Sequence, residues 1–234
     1  MIEIKNLKKS FDDHLVLEDI NMIIEPGKIY GLVGSNGCGK TTILKHIMSI
    51  YKQDAGQILF DGMCISNDRY LNELYYVQDD LFFPFNYTLD DLFEYEAMMY
   101  KKMNLKKFEH LKTYFKMDGQ KKLRALSKGQ KKQAAFILAM SAMTSTILLD
   151  EIVDGLDAVV RKKFWQVIMT EVMDRNLTLV ISSHALSELD NICDRVGILH
   201  DGKIVREDDI DQIKEDTKRV QFALTEDFKL MIFS

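Results

Sequence analysis

The chain has 234 residues, of which 47% are hydrophobic and 29% are charged, and its net charge is −5. Such a composition is typical of a globular protein of one or two domains, and it excludes collagen-like and disordered chains. No apolar run approaches the roughly 18 residues that a membrane-spanning helix needs, and residues 1–10 lack the pattern of a secretory signal.

The N-terminal part of the chain predicts mainly strands. Residues 2–7 and 19–24 alternate apolar and polar side chains, as half-buried strands do. Residues 29–33 form a continuous apolar run, which suits a buried central strand. Residues 57–60 and 75–77 predict two further short strands.

A first helix is predicted from Thr41 onward. Its apolar positions recur at helical spacing and are Ile43, Leu44, Ile47 and Ile50. Residues 88–115 carry the apolar spacing of two or three amphipathic helices, which indicates a helical insert.

The second half of the chain returns to the buried-strand pattern at residues 147–149 and 177–182, with a helix at 160–174 between them. Residues 195–199 and 203–206 predict a terminal hairpin. Because strands and helices alternate, we expect an α/β core with a mostly parallel sheet.

A glycine-rich loop follows the apolar run at 29–33. Residues 34–41, Gly-Ser-Asn-Gly-Cys-Gly-Lys-Thr, match the phosphate-binding pattern G-x-x-x-x-G-K-[ST] between a strand and a helix, which is the setting this pattern requires. The loop N–H groups and the helix N-terminus attract an anion. Lys40 is expected to reach the β- and γ-phosphates, and the Thr41 hydroxyl to bind Mg²⁺. The predicted nucleotide-binding residues are Ser35, Asn36, Gly37, Cys38, Gly39, Lys40, Thr41 and Thr42.

Two adjacent carboxylates, Asp150 and Glu151, end the apolar strand predicted at 147–149. Ligands of open α/β sheets bind at this carboxyl end of the strands. Neighbouring side chains on a strand point to opposite sides, so the two acids are expected to have different tasks. Asp150 would hold Mg²⁺, and Glu151 would act as the general base toward the attacking water.

Together these motifs resemble those of the nucleotide-binding subunits of ATP-binding cassette (ABC) transporters, over about residues 1–216. Residues 126–130, Leu-Ser-Lys-Gly-Gln, are similar to the LSGGQ signature of that family and precede the paired carboxylates. Gln78, His184 and residues 155–157, Gly-Leu-Asp, stand in the family's order. The resemblance is to bacterial antibiotic and peptide exporter types in particular, because Lys128 replaces the first glycine of the signature pair.

The resemblance implies a head-to-tail dimer that encloses ATP between the phosphate loop of one protomer and the signature of the other. It implies that Phe11 stacks on adenine and that Val16 packs nearby. It implies that Gln78 contacts Mg²⁺ and the attacking water, that His184 contacts the γ-phosphate, and that Asp157 crosses the dimer interface. The signature residues expected to bind ATP are Ser127, Gly129 and Gln130. The implied cofactors are ATP and Mg²⁺.

Other departures from the family pattern concern loops. Residues 152–154, Ile-Val-Asp, stand where Pro-Thr-Ser is usual, and Ala158 stands where proline is common. These changes are expected to alter loop rigidity more than chemistry. Cys38 lies within the phosphate loop, so we expect an exposed thiol beside a helix N-terminus and inactivation by alkylation.

Residues 78–87 place several aromatic side chains around Pro84. They predict either a hinge that faces the core or a hydrophobic groove for a helix of a membrane partner. The family resemblance implies that residues 87–98 form the other wall of that groove. Residues 100–133 carry eleven Lys and Arg124 against Glu109 and Asp118. That excess of positive charge predicts either a solvated helical face or a surface near anionic lipid or an acidic partner.

The predicted fold class is α/β, a P-loop NTPase core with a mostly parallel sheet, an antiparallel β subdomain and a helical insert. The predicted segments are an ATPase core with the phosphate loop at 1–84, a helical subdomain with the signature at 85–133, the second half of the core at 134–216, and a tail at 217–234. Residues 220–224 predict the start of a strand in that tail.

The predicted function is ATP binding and hydrolysis as an ABC transporter subunit that dimerises around two ATP and drives a separate transmembrane permease, in the direction of export. The dimer is of identical or of different ATPase subunits, and no nucleic acid is expected as a partner. The subunit would lie at the cytoplasmic face of the cell membrane through the permease, and three widely spaced cysteines suit a reducing compartment. The alternative is a soluble ABC ATPase that acts on nucleic acid or the ribosome.

Overall fold

A six-stranded, mostly parallel sheet forms the centre of the computed structural model, which describes residues 1–65, 68–84 and 86–216. Its strands are β3 (Ile29–Val33), β6 (Leu74–Val77), β7 (Thr146–Asp150), β8 (Thr178–Ser183), β9 (Arg195–His200) and β10 (Lys203–Asp209). They lie in the order β10-β9-β3-β8-β7-β6, and β10 alone among them runs antiparallel to its neighbour. Every residue of β3, β7 and β8 is buried, which explains their continuous apolar runs.

Four antiparallel strands from the N-terminal part of the chain form a second sheet. It consists of β1 (Ile2–Phe11), β2 (His14–Ile24), β4 (Ala55–Phe60) and β5 (Met63–Cys64), in the order β2-β1-β4-β5. The pairing of β1 with β2 contains register shifts between Ile4 and Ser10. Because of these irregularities, β1 and β2 extend past the predicted strands at 2–7 and 19–24 even where polar side chains interrupt the alternation of apolar and polar residues.

Seven helices complete the described part of the chain: α1 (Lys40–Ile47), α2 (Leu89–Ala97), α3 (Leu105–Phe115), α4 (Lys128–Ser141), α5 (Ala158–Arg175), α6 (Leu186–Leu189) and α7 (Ile210–Asp216). Short 3₁₀ turns lie at Asp68–Glu73 and Leu123–Ala125. None of these helices combines the length and the apolar character that crossing a bilayer requires.

Side-chain caps fix where several helices begin. Thr88 and Asp91 form a capping box at α2, and Ser127 and Gln130 form another at α4. In each box the cap hydroxyl accepts a hydrogen bond from the third helical N–H, and the third side chain accepts one from the cap N–H. The start of α4 is therefore set by the same residues that carry the predicted signature.

Two buried clusters lie on the two sides of the central sheet. One joins the sheet to α1 and the antiparallel strands. The other joins it to α2, α3, α4 and α5, where the rings of Phe136 and Phe164 stack with centroids 3.9 Å apart. Burial of large side chains such as these contributes about 1.5–3 kcal/mol each. The clusters hold the phosphate loop and the signature helix on one rigid framework.

The fold class is confirmed: an α/β core with a mostly parallel sheet, an antiparallel sheet and inserted helices. Ile50 was expected to continue the first helix, but α1 ends at Ile47 and Ile50 is 55% exposed. Ser49 between them has a φ of 53°, which a continuing helix cannot contain. The segment boundaries remain a prediction; α4 runs without a break across 133/134, and the tail at 217–234, with its expected strand at 220–224, lies outside the described residues.

Candidate nucleotide site

The phosphate loop connects β3 to α1, as the pattern required. Gly39 is the N-cap of α1 with a φ of 113°, and a Cβ atom there would approach Leu17 Cδ2 to 2.6 Å. Gly37 also has a positive φ, of 79°. Glycine meets both demands, because it has no side chain. The first N–H groups of α1 have no partner within the helix, so they can bind an anion.

Lys40 is almost completely buried, and its ammonium group has three acceptors. Nζ donates to the main-chain carbonyl oxygens of Gly34 at 2.8 Å and Ser35 at 3.1 Å. It also pairs with Glu151 Oε1 at 3.0 Å. The predicted phosphate-binding cation and the predicted general base therefore neutralise each other, and a triphosphate must compete with Glu151 for Lys40.

Asp150, the last residue of β7, is fully buried and accepts three hydrogen bonds from hydroxyl groups. Thr41 Oγ1 donates to Oδ2 at 2.7 Å, Tyr76 donates to the same oxygen at 3.1 Å, and Ser182 donates to Oδ1 at 2.6 Å. Burial and the neighbouring Asp150 raise the pKa of Tyr76, so its hydroxyl stays a donor. The structure thus brings together the predicted metal residues Thr41 and Asp150.

Hydroxyl and carboxylate oxygens are the ligands that Mg²⁺ prefers, and it usually takes only one or two of them from the protein together with phosphate oxygens and water. Thr41 and Asp150 fit that donor set. Gln78, the third predicted metal residue, lies exposed at the end of β6. In the described part of the chain it is not among the partners of Asp150, so its role at the metal stays a prediction.

Glu151 lies just beyond β7 with a φ of 49°, and this turn separates its side chain from that of Asp150. Asp150 points to the hydroxyl donors, whereas Glu151 points to Lys40. The expected division of tasks between the two acids stays a prediction, whereas their side chains lie in different environments. The reason is the left-handed turn rather than alternation along a strand, because Glu151 is no longer in the strand.

Lys132 of α4 holds the loop that carries Glu151. Its Nζ donates to the main-chain carbonyl oxygens of Glu151 at 2.6 Å and Asp154 at 2.9 Å, and the side chain is 3% exposed. Asp79 Oδ1 lies 3.8 Å from the same ammonium. Burial lowers the pKa of Lys132, although the acidic neighbours partly oppose this. The signature helix is thereby connected to the loop after Asp150 and Glu151.

His184 follows β8 and is half exposed. Its Nδ1 lies 2.6 Å from Asp154 Oδ2, and Ser183 Oγ lies 3.0 Å from Asp154 Oδ1. Gly34 N donates to the carbonyl oxygen of Ser183 at 3.2 Å, which joins the phosphate loop to this segment. The donor atoms of Glu151, Asp154 and His184 all lie within 4.8 Å of one another. The structure therefore brings the predicted base and the predicted phosphate-binding histidine together.

A cavity of about 300 Å³ opens beside the phosphate loop, and Val16 lies in its wall. Packing of Val16 near adenine stays a prediction. The described residues that line it are His14, Leu15, Val16, Ser35, Asn36, Gly37, Cys38, Asp201 and Gly202. Phe11 is not among them. Its ring packs edge-on against Tyr51 with centroids 5.1 Å apart, and Lys9 Nζ lies 5.1 Å from its centroid. Stacking of Phe11 on adenine remains a prediction.

The signature residues lie at the surface. Ser127 and Lys128 are exposed, whereas Gly129 and Gln130 are half-buried. Ser127 Oγ is engaged as the N-cap of α4. Among the described residues that line the phosphate-loop cavity, none belongs to the signature. Asp157 is exposed as well and caps α5 by accepting from the N–H groups of Val159 and Val160.

The expectation about Cys38 is wrong. The thiol is 7% exposed, and burial raises its pKa, an effect that Lys40 and nearby N–H groups oppose only in part. A Cβ atom on Gly34 would approach Cys38 Sγ to 2.6 Å, so the sulfur is packed under the loop. The helix N-terminus favours a thiolate, but desolvation is the larger effect here. Cys38 faces inward while the backbone of the loop remains available to phosphate.

The aromatic segment after β6 forms one side of a groove of about 190 Å³. The described residues that line it are Tyr75, Tyr76, Val77, Gln78, Leu81, Phe82, Phe83, Leu92, Glu96, Ala135 and Leu138. Phe82 is 84% exposed, whereas Leu81, Phe83 and Tyr87 pack partly against the core. The segment thus forms a groove wall, as the predicted docking groove requires, and it also contacts the core, as the predicted hinge requires. Residue 85 lies outside the described part of the chain.

Four residues near the site were not predicted: Tyr76, Lys132, Asp154 and Ser182. Tyr76 and Ser182 lie at the ends of strands that neighbour β7, and this could have been inferred from the strand order. A lysine within the otherwise apolar face of α4 was a signal for Lys132. For Asp154 the signal was its place among the departures from the family pattern, which the expectation assigned to loop rigidity.

Comparison with known proteins agrees with this geometry. Residues 17–154 match the family model described as ABC transporter. The "ABC transporter ATP-binding protein YtrB" of Bacillus subtilis is 37% identical over 99% of this chain and 80% of its own length. The "Lantibiotic transport ATP-binding protein SrtF" of Streptococcus pyogenes is 27% identical over 90% of this chain and 92% of its own length.

A solved structure shows the same fold. The "ATP binding subunit of ABC transporter" superposes with a TM-score of 0.82 at 24% sequence identity, and the match covers 92% of each chain. At this identity the likeness supports the fold alone. The sheets, the phosphate loop between β3 and α1, and the inserted helices are thus those of a known architecture.

Proposed function

The chain belongs to the ABC transporter family of ATP-binding proteins and is an ATPase, and on that premise we propose that it dimerises around two ATP molecules to drive a separate transmembrane subunit. The pair of Lys40 and Glu151 beside the Thr41–Asp150 contact is the observation that supports hydrolysis. One compact site holds a cation for phosphate, a donor set for a metal and a carboxylate base.

In this proposal the loop N–H groups and Lys40 bind the β- and γ-phosphates, which displace Glu151 from the ammonium group. Thr41 and Asp150, together with Gln78, would hold Mg²⁺, and the metal would neutralise phosphate charge when bound. Glu151, once free of Lys40, accepts a proton from the attacking water. His184 donates a hydrogen bond to a γ-phosphate oxygen.

The proposed dimer follows from the exposed signature. Ser127 and the first N–H groups of α4 form a ready anion-binding helix start. Within one chain, the described lining of the phosphate-loop cavity includes no signature residue. A second copy of the chain, or a related subunit, would supply this helix start to the γ-phosphate and complete the site.

Light scattering of Glu151→Gln tests the dimer. We expect the mass to rise with ATP and Mg²⁺ from that of one chain, 27.1 kDa, to twice that value, because the variant binds ATP without consuming it. The matched control is Glu151→Gln with Ser127→Arg, which should bind ATP and remain a monomer. A monomer in both variants, with ATP bound, would contradict a homodimer formed by this chain alone.

The groove beside Phe82 is the proposed docking site for a helix of the transmembrane subunit. An exposed aromatic side chain at the rim of a groove is typical of an interaction site. The tagged chain should recover a multi-span protein from native membranes, and Phe82→Ser should recover less of it. Met173→Ser, at a side chain 71% exposed on α5, is the control. Recovery of ribosomal proteins instead would contradict the proposal.

We propose export as the direction of transport, because a relative 27% identical is named for lantibiotic transport and Lys128 resembles exporter signatures. The subunit would then lie peripherally at the cytoplasmic face of the membrane. In proteoliposomes of the co-purified complex with the ATPase outside, an exporter carries a labelled peptide antibiotic into the lumen. ATP-driven release of labelled peptide loaded into the lumen would contradict export. The alternative of a nucleic-acid or ribosomal ATPase is not favoured, because the relatives named above are transport proteins.

A further inference from the structure

The geometry points to Asp154 as a positioning residue for His184, an inference that rests on the proposed role of His184 at the γ-phosphate. Nδ1 of His184 lies 2.6 Å from Asp154 Oδ2. A carboxylate can only accept, so the ring nitrogen in this contact must carry the proton. Nε2 is then the ring atom left to meet a ligand. Asp154 thereby determines that Nε2, and not Nδ1, is the ring nitrogen available to a phosphate oxygen.

Asp154 is itself held on both sides of its carboxylate and through its main chain. Ser183 Oγ lies 3.0 Å from Oδ1, and Lys132 donates to the main-chain carbonyl oxygen at 2.9 Å. The Asp154 side chain is 10% exposed. Burial alone would raise its pKa, but side-chain hydrogen bonds with Glu188, His184 and Ser183 bring it below the ordinary value. The acceptor therefore has one orientation and remains ionised at neutral pH.

The surroundings of the pair make the orientation consequential. Glu151, the proposed base, has a carboxylate oxygen within 4.8 Å of one carboxylate oxygen of Asp154 and one ring nitrogen of His184. Glu188 Oε2 lies 2.9 Å from Ser183 Oγ, and Arg161 pairs with Glu188 at 3.3 Å. Glu151 is thus a second acceptor that can compete with Asp154 for the imidazole protons. Without a fixed acceptor on Nδ1, the ring could turn toward Glu151 and lose its alignment.

In the doubly protonated ring, Nδ1 donates to Asp154 and Nε2 can donate to a phosphate oxygen. The contact of Asp154 with His184 acts on the hydrolysis step through His184, while ATP binding depends on the phosphate loop.

The first test is spectroscopic and needs no turnover. Nitrogen-15 spectra of the full chain with labelled histidine, taken at alkaline pH, distinguish a protonated Nδ1 from a protonated Nε2. The chain has 5 histidines, and the His184→Asn variant identifies the signals of His184. We expect a protonated Nδ1 in the natural chain and in Asp154→Asn, whose amide oxygen still accepts. We expect a shift to protonated Nε2 in Asp154→Ala.

The second test is kinetic. Asp154→Ala should lower kcat for ATP hydrolysis by about 10- to 100-fold, as loss of an orienting partner of a histidine does, and KM should change by less than about twofold. Asp154→Asn should restore part of kcat. Asp190→Asn, a half-buried acid at the end of α6 with no contact to His184 in the described residues, is the control. If Asp154→Ala fails to fold, Asp154→Leu, whose side chain has no hydrogen-bond acceptor, replaces it.

Either of two results overturns the inference: Nδ1 stays protonated in the Ala or Leu variant, or kcat stays within about twofold of the natural chain while His184→Ala is inactive. If His184→Ala keeps full activity, the proposed role of His184 fails instead. In that case the spectra still decide whether Asp154 fixes the ring. The two failures are therefore distinguishable.

Discussion

Lys132 Nζ donates a hydrogen bond to the main-chain carbonyl oxygen of Glu151 at 2.6 Å. One end of this contact is on the helix that begins with the signature, and the other is on the loop that carries the proposed base. In the proposed dimer, a displacement of α4 on binding the partner's nucleotide would therefore shift the main chain at Glu151 of the same chain. The contact offers a physical route by which the two sites of a dimer could influence each other.

Replacing Lys132 by Met should reduce both stability and turnover. The carbonyl oxygens of Glu151 and Asp154 would lose their shared donor, and an unsatisfied buried polar group costs about 1–3 kcal/mol. Urea unfolding should show a loss of that order, and kcat should fall more than ATP affinity. Lys131→Met, at the half-buried neighbouring position, is the control. Unchanged stability and kcat in Lys132→Met would contradict a positioning role for this lysine.

Glu151→Gln should change binding and hydrolysis in opposite directions. The substitution removes the negative partner of Lys40, so the ammonium group becomes available to phosphate and ATP affinity should rise several-fold. Hydrolysis should fall by about 10²–10⁴-fold, because the general base is lost. Titration calorimetry and phosphate release measure the two effects, with the exposed Glu94→Gln on α2 as the control. Weaker ATP binding by Glu151→Gln would show that the Lys40–Glu151 pair does not compete with nucleotide.

Because Glu96 is half-buried in the groove, we expect the free energy of unfolding to depend on pH. Burial raises its pKa from 4.5 to about 7, although a hydrogen bond from Tyr75 acts in the lowering direction. The folded chain therefore holds this proton more tightly than the unfolded chain. The stability contribution is fully present below pH 4.5 and is lost as the pH rises through about 7. The expected size is at most about 3 kcal/mol.

Urea unfolding of the natural chain and Glu96→Gln at several pH values between 5 and 8 checks this prediction. The natural chain should lose stability relative to the variant as the pH rises, because Gln has no proton to release. A difference that stays constant over this range would mean that Glu96 is not perturbed by its burial. The comparison cancels the titration of all groups that both chains share.

The three thiols should react with an alkylating reagent in an order set by burial. Cys64 is exposed and should react first, whereas Cys38 and Cys193 are buried and burial raises the pKa of both. Mass spectrometry of N-ethylmaleimide adducts over time gives the order. Cys64→Ser should remain almost unmodified during the period in which the natural chain takes up one adduct. Rapid labelling of Cys38 in Cys64→Ser would indicate an exposed loop thiol after all.

Local sequence determined much of what could be predicted. β3 begins and ends at the predicted residues, because a fully buried parallel strand is a continuous apolar run and the loop pattern that follows marks its end. The capping residues at Ser127 are equally local. The environments of the two acids could also be anticipated in outline from their position at a strand end, although the turn at Glu151 that separates them could not.

Contacts between segments distant in the chain could not be predicted from local sequence. Whether Cys38 faces solvent depends on Gly34 and the strands behind the loop, and Lys132 meets the Asp154 carbonyl only because α4 packs against the central sheet. Phe11 illustrates a further limit: its place at the end of β1 is local, but its contact with Tyr51 depends on where α1 ends. Such side-chain positions follow from tertiary packing, which spacing along the chain does not encode.

The three hydroxyl groups around Asp150 have a practical consequence for handling the protein. A buried carboxylate usually needs a cation or a full set of hydrogen bonds, and Thr41, Tyr76 and Ser182 already supply the latter. Folding of the core should therefore not depend on divalent metal. Purification and storage in a chelating buffer should leave the melting temperature unchanged, and restoring magnesium with ATP should be enough to restore activity.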